Sequence, residues 1–127
     1  AVDRTNSRVA DMYDGLHPAV LGALAKICQD ARQRSCPVSI CGELAGDPRA
    51  TPLLIAMGFD QLSMNAASLP RVKKVLNSVT LTEAKEVLEQ LKGLHSVSQV
   101  KHLLDDLIQR RGLERYVRPG QEQERAE

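Results

Sequence analysis

The chain has 127 residues, enough for one domain and too few for two. Its 17 Lys and Arg against 16 Asp and Glu leave a net charge of +1, which argues against a nucleic-acid partner or an anionic membrane. With no Trp, one Phe and two Tyr, any core is aliphatic, and no apolar run approaches the roughly 20 residues a spanning helix needs.

The chain opens Ala1-Val-Asp-Arg4 without Met, in what reads as the exit of a strand, and is expected to be a piece of something longer. No signal-type segment opens it. Residues 1–16 read as irregular, with a short helix from Ser7 to Met12 and a turn at Asp14-Gly15. His17-Pro18 starts a helix, with Pro18 suited to its first position. Val20, Leu24, Ile27, Cys28 and Ala31 recur at helical spacing, and Arg32 and Arg34 suit the negative end of the dipole. The helix stops near Ser35, before Pro37.

Residues 37–41 predict a strand. Asp47-Pro48 and Thr51-Pro52 compete as helix starts. Thr51 is favoured, because Pro52 deeper inside a helix would cost a backbone bond. Gly58 is the natural stop, and residues 60–64 form a second strand. Strand, helix, strand is a parallel βαβ unit with a right-handed crossover. A helix follows from Ser68 to Asn77. Thr80-x-x-Glu83 and Ser96-x-x-Gln99 are capping boxes that open two amphipathic helices. Ala84, Val87, Leu88 and Leu91 form one apolar face; Val97, Val100, Leu104, Leu107 and Ile108 form the other. The two make an antiparallel hairpin joined at Gly93, and Gly112 ends the second. Residues 1–117 are expected to hold the folded portion and residues 118–127, rich in Gln, Glu and Arg, a disordered tail.

The stretch between the strands carries the chemistry. Cys41 stands where the apolar run Val38 to Ile40 ends, and Gly42 and Gly46 bracket a loop with Glu43 and Asp47. In parallel α/β proteins ligands sit at strand ends and the loops beyond them, and glycines there allow backbone N–H groups to approach an anion. An ordinary thiol is mostly protonated near neutral pH. Cys41 can therefore serve as nucleophile or proton donor, or it can be a small packed hydrophobe. Arg4 can hold phosphate oxygens in a bidentate fork, or be a surface arginine. Glu43 can hold a metal-bound water, pair with a base or, first in rank, orient the loop. Asp47 reads as a turn or helix cap. Ser63 and Asn65, at the end of the second strand, contact the loop or satisfy their own backbone.

The other candidates read as bland. Cys28 and Cys36 are expected to pack, and His17 to sit at a helix start. His95 and His102 have no metal-ligand spacing, and three cysteines without a disulfide rhythm suit a reducing cytoplasm. Arg71, Lys73 and Lys74 lack interleaved aromatics and read as a solvated helix face.

Cys41-Gly-Glu-Leu-Ala-Gly-Asp-Pro-Arg-Ala-Thr51 resembles the active-site cysteine loop of the phosphoenolpyruvate-protein phosphotransferases, the Enzyme I family. Gly58-Phe-Asp-Gln-Leu-Ser-Met-Asn65 and Ser68-Leu-Pro-Arg-Val-Lys-Lys74 resemble its next strand and helix. Ala1-Val-Asp-Arg-Thr-Asn6 and Tyr13-Asp-Gly-Leu-His-Pro18 resemble the segment before the loop, and the interval from Arg4 to Cys41 matches. The resemblance is strong to about residue 78 and loose beyond.

The resemblance implies an α/β fold: the C-terminal part of a (β/α)8 TIM barrel, about its last two strands, followed by the helical hairpin. It implies that phosphoenolpyruvate loses its phosphoryl group to an enzyme histidine, and that a histidine-phosphorylatable carrier protein then takes it. Cys41 would protonate the enolate carbon as general acid, and Arg4 would bind the phosphoryl group. Mg²⁺ is implied, with ligands upstream of Ala1, so turnover by these residues alone is not expected. A homodimer through the barrel domain and a cytoplasmic location are also implied. Leu16-His-Pro-Ala-Val20, Leu62-Ser-Met-Asn65 and Arg110-Arg-Gly112 look closer to the nitrogen-related branch than to the sugar branch. The rival readings are a pyruvate phosphate dikinase or phosphoenolpyruvate synthase barrel, and a non-catalytic helical interaction or dimerisation fragment in which Cys41 is only packed.

Overall fold

The computed structural model describes residues 8, 9 and 13–117. Of the expected helix from Ser7 to Met12 only Arg8 and Val9, in a turn, are described; the rest of it and the expected tail, 118–127, lie outside the described residues.

The described residues form a mixed α/β unit. In chain order these are α1 (Pro18–Gln33), β1 (Ser39–Cys41), α2 (Thr51–Met57), β2 (Gln61–Ser63), α3 (Leu69–Leu76), α4 (Leu81–Leu91), α5 (Val97–Arg110) and α6 (Glu114–Val117). The last of these, a single turn of Glu-Arg-Tyr-Val, has too short a pattern to read from sequence.

α2 is the centre. Its sequence, Thr-Pro-Leu-Leu-Ile-Ala-Met, carries no charge, and every residue but Ile55 is buried. A helix apolar all round is a core helix, and α1, α3 and α4 all pack on it. It starts at Thr51 as expected, with Pro52 in its first turn and Gly58 (φ 97°) ending it. Its leading residue, Ala50, makes no side-chain cap. Leu53 and Leu54 of α2 are fully buried, and Leu21, Leu104 and Leu107 join them in the main core, each contributing about 1.5–3 kcal/mol of hydrophobic burial.

β1 and β2 pair in parallel, with Ile40 opposite Leu62 and Cys41 opposite Ser63. Each strand is three residues long, shorter than the stretches 37–41 and 60–64 expected from sequence. Asp60 extends the ladder: its N–H donates to the Val38 carbonyl at 2.9 Å, and its carboxylate accepts the Val38 N–H at 2.8 Å. Ile40 and Leu62 pack on the main core, whereas Ser39, Cys41, Gln61 and Ser63 are exposed. A parallel sheet covered on both faces is the usual arrangement; here helices cover one face only among the described residues.

Two expectations are corrected. α1 does not bury Val20 and Ile27, which are 42% and 52% exposed. It buries Leu21 and Cys28, with Leu24 and Ala25 half-buried beside them. Helical periodicity fits either neighbouring stripe, and contact with α2 selects one. Cys36 is exposed rather than packed. It follows the chain reversal at Ser35, where its N–H is held by the Ala31 carbonyl at 2.9 Å.

α4 and α5 open on capping boxes, as their sequences predict. Arg111, past the end of α5, ties back to the α4 box by donating from Nε to Glu83 Oε1 at 2.8 Å. Its guanidinium, the Thr80 hydroxyl and the Thr80 N–H together hold the Glu83 carboxyl down at about 2. Gly112 (φ 63°) ends α5: its N–H donates to Gln109 and that of Leu113 to Ile108, both at 3.0 Å. Leu113 and Ile108 then join Val75 in a second small core.

Candidate functional site

Parallel pairing brings the ends of β1 and β2 to the same edge, so Cys41 and Ser63, their last residues, stand side by side on the open face. Cys41 is exposed among the described residues. The loops that leave the two strands enclose an open cleft of about 430 Å³. Gly42, Glu43 and Gly46 line it from one loop; Ser63, Met64, Asn65 and Ser68 line it from the other.

Local chemistry shapes both loops. Gly42 has φ 89°, a left-handed conformation suited to glycine. The chain then makes one tight turn, in which the Gly46 N–H donates to the Gly42 and Glu43 carbonyls at 3.2 and 3.1 Å. Gly46 allows the two loops to touch: a methyl group there would come 3.1 Å from Ser68 Oγ and 3.5 Å from Met64 Cβ. Asn65 folds its own loop, its Oδ1 accepting the Ser68 N–H at 2.8 Å. Asp47 is a turn former: Oδ1 accepts the Arg49 N–H at 2.9 Å and the carboxylate pairs with the Arg49 guanidinium at 3.3 Å.

Of the residues singled out from sequence, Cys41, Glu43, Ser63 and Asn65 meet at this edge. Arg4 lies outside the described residues. Cys28 is buried in the main core, where burial pushes its thiol up. His17 caps α1, its Nδ1 accepting the Ala19 N–H at 3.2 Å. His95 and His102 are exposed. Lys74 is more than a solvated charge, since its ammonium lies 5.9 Å from the Tyr116 ring centre. Ser68 is the residue that sequence reasoning missed. It reads there only as a helix start, yet it is 6% exposed and lines the cleft. The signal was weak: only the Gly46 opposite it marks the close approach.

The lining offers two hydroxyls, an amide, a thioether and a carboxylate, and no Lys or Arg. That set suits the polar, uncharged part of a small ligand; an anionic group needs cations from outside the described lining. Among the described residues no three His, Cys, Asp or Glu side chains converge to hold a metal ion, so the described carboxylates do not by themselves fit a magnesium site. No helix among them is long and apolar enough to cross a membrane.

The sequence model described as "PEP-utilising enzyme, PEP-binding domain" matches residues 1–81, and the chain belongs to that family. Among curated proteins it is similar to one from Cupriavidus necator named "Phosphoenolpyruvate-protein phosphotransferase", 40% identical over 119 residues, 94% of this chain and 19% of that protein. It is also similar to one of the same name from Haemophilus influenzae, 35% identical over 85% of this chain and 19% of that protein. The third is a Salmonella typhimurium protein named "Phosphoenolpyruvate-dependent phosphotransferase system", 39% identical over 94% of this chain and 16% of that protein. The chain thus spans under a fifth of the length of these relatives.

Proposed function

We propose that the chain is the C-terminal share of a (β/α)8 barrel that binds phosphoenolpyruvate in a phosphoenolpyruvate-protein phosphotransferase. β1 and β2 would be its last two strands, their open face turned to the barrel interior. The observation that carries this is the placement of Cys41: exposed, at the C-terminal end of a parallel strand, and at the lip of a polar cleft.

In this reading the bond between phosphorus and the enol oxygen breaks as the phosphoryl group passes to an enzyme histidine. The enolate left behind takes a proton at carbon from the Cys41 thiol, and solvent reprotonates the thiolate. Glu43 and Asn65 support the loops around that carbon. Arg4 neutralises the phosphoryl oxygens, which accords with a described lining that lacks a cation. Mg²⁺ belongs to the reading as an ion held by acidic side chains other than those described. The acceptor is a histidine-phosphorylatable carrier protein of the nitrogen-related branch; a homodimer and a cytoplasmic location complete the assignment.

The test replaces the matching segment of the Cupriavidus necator relative by these residues and follows phosphoenolpyruvate-dependent pyruvate release. The chimera is expected to be active. Cys41→Ala should lower kcat about 10²–10⁴-fold, the usual worth of a general acid, with KM little changed. A fall below threefold in an active chimera would sink the role of Cys41. An inactive chimera that folds and still binds phosphoenolpyruvate would refute the assignment to this reaction.

A further inference from the structure

Lys101 lies on α5, beyond the residues 1–81 that the family match covers. Its ammonium nevertheless donates to Asp14 Oδ2 at 2.7 Å, across 87 positions of chain. Asp14 builds the turn ahead of α1: its Oδ1 accepts the Leu16 N–H at 2.9 Å and its carbonyl the His17 N–H at 3.1 Å. The next residue, Gly15, sits against Leu44. A methyl group on Gly15 would come 3.2 Å from Leu44 Cδ1. Leu44 is half-buried on the main core and lies in the tight turn after Cys41, where its carbonyl accepts the Asp47 N–H at 3.3 Å.

Lys101, Asp14, Gly15 and Leu44 line a second open cleft of about 300 Å³. Glu43 lines this cleft and the one beside Cys41, so the cysteine loop is the wall between them. One wall face meets Ser68 and Met64; the other meets the Gly15 turn. The first contact joins two loops of the site. The second joins the loop to a turn whose carboxylate is gripped from α5.

We propose that Lys101 is a positioning residue for the Cys41 loop: through Asp14 and the Gly15 turn, α5 holds Leu44 and with it the wall that carries Cys41. The pair is partly exposed, 40% for Lys101 and 29% for Asp14. Its effect is therefore modest and local, and a local readout is needed. The inference draws on the proposed function only for its consequence in catalysis, not for its physical content.

The experiment uses the full 127-residue chain with Cys36→Ala. Of the two remaining thiols only Cys41 is exposed, Cys28 being buried. Amide hydrogen exchange of residues 42–47 and the rate of Cys41 alkylation by iodoacetamide are read well below the melting temperature. Lys101→Met is expected to speed both about two- to fivefold, the scale of a half-exposed ion pair, with exchange in α2 and α4 unchanged. Asp14→Asn keeps an oxygen for the Leu16 N–H and deletes the charge; it should do the same. The double variant should do no more than either single one, and Lys101→Arg should restore the original rates. Unchanged exchange at 42–47 in Lys101→Met, or acceleration spread evenly through α2 and α4, would overturn the proposal. Neither rate involves phosphoenolpyruvate or turnover, so this proposal and the proposed function fail separately.

Discussion

Ser35 is the one non-glycine residue with positive φ, 51°, among the described residues. It ends α1: its N–H donates to Arg32 at 3.1 Å and that of Cys36 to Ala31 at 2.9 Å, the pattern that favours glycine at this position. Left-handed backbone costs a residue with a β-carbon roughly 1 kcal/mol, so Ser35→Gly is expected to stabilise by up to about 1 kcal/mol, read as a raised urea midpoint with unchanged slope. Gly46 has the opposite need. Its φ is not in the left-handed region, but a β-carbon there would crowd the Ser68 side chain. Gly46→Ala should cost about 1–2 kcal/mol by overpacking, and Ser68→Gly in the same chain should recover part of it. Independent, additive effects in that pair would show that the two loops do not press on each other.

At the scale of elements, helix ends carry the polar organisation. Arg32 stands in the last turn of α1, as expected, and also donates to the Met57 carbonyl at 3.2 Å, closing the end of α2 with its guanidinium over Gly58. The α4 capping box is shared in the same way, Glu83 serving both Thr80 and Arg111. Glu83 is held at about 2 when folded against an ordinary value of 4.5. A depressed folded value means that its contribution is present above about 4.5 and is lost as pH falls toward 2. The Asp14 carboxyl adds to the same trend. Burial pushes it up, but the Lys101 ammonium and the Leu16 N–H outweigh this and hold it below the usual range. The melting temperature should therefore fall on acidification through this window, and Glu83→Gln, which keeps the capping bonds, should flatten the fall. A Gln variant with the original pH profile would show that Glu83 is not the group responsible.

At the scale of the molecule, the described residues form one main core, which joins α1, the inner faces of both strands, α2, α4 and α5, and a small second core under α6. Leu104, fully buried on α5, meets the first. Leu104→Ala should cost about 2–5 kcal/mol. The loss should appear as a single cooperative transition at a lower denaturant concentration if the core is one unit. Two separated transitions would show that the α4–α5 pair folds apart from the βαβ unit.

Local chemistry was enough to read much of this from the chain. Thr51-Pro52 and Gly58 bound α2, two capping boxes set the starts of α4 and α5, and Gly112 sets the end of α5, because each acts through bonds a few residues long. The loop from Cys41 to Thr51 was equally legible as the segment that leaves one strand and opens α2, since its residues are contiguous. Other features depend on partners far along the chain. Which stripe of α1 is buried, the exposure of Cys36 and the closing of α2 by Arg32 came only from packing. So did Ser68 against Gly46 and the reach of Lys101 to Asp14. Periodicity fixes that a helix has an apolar face, but two stripes one residue apart satisfy it equally. Only the surface brought against that helix chooses between them.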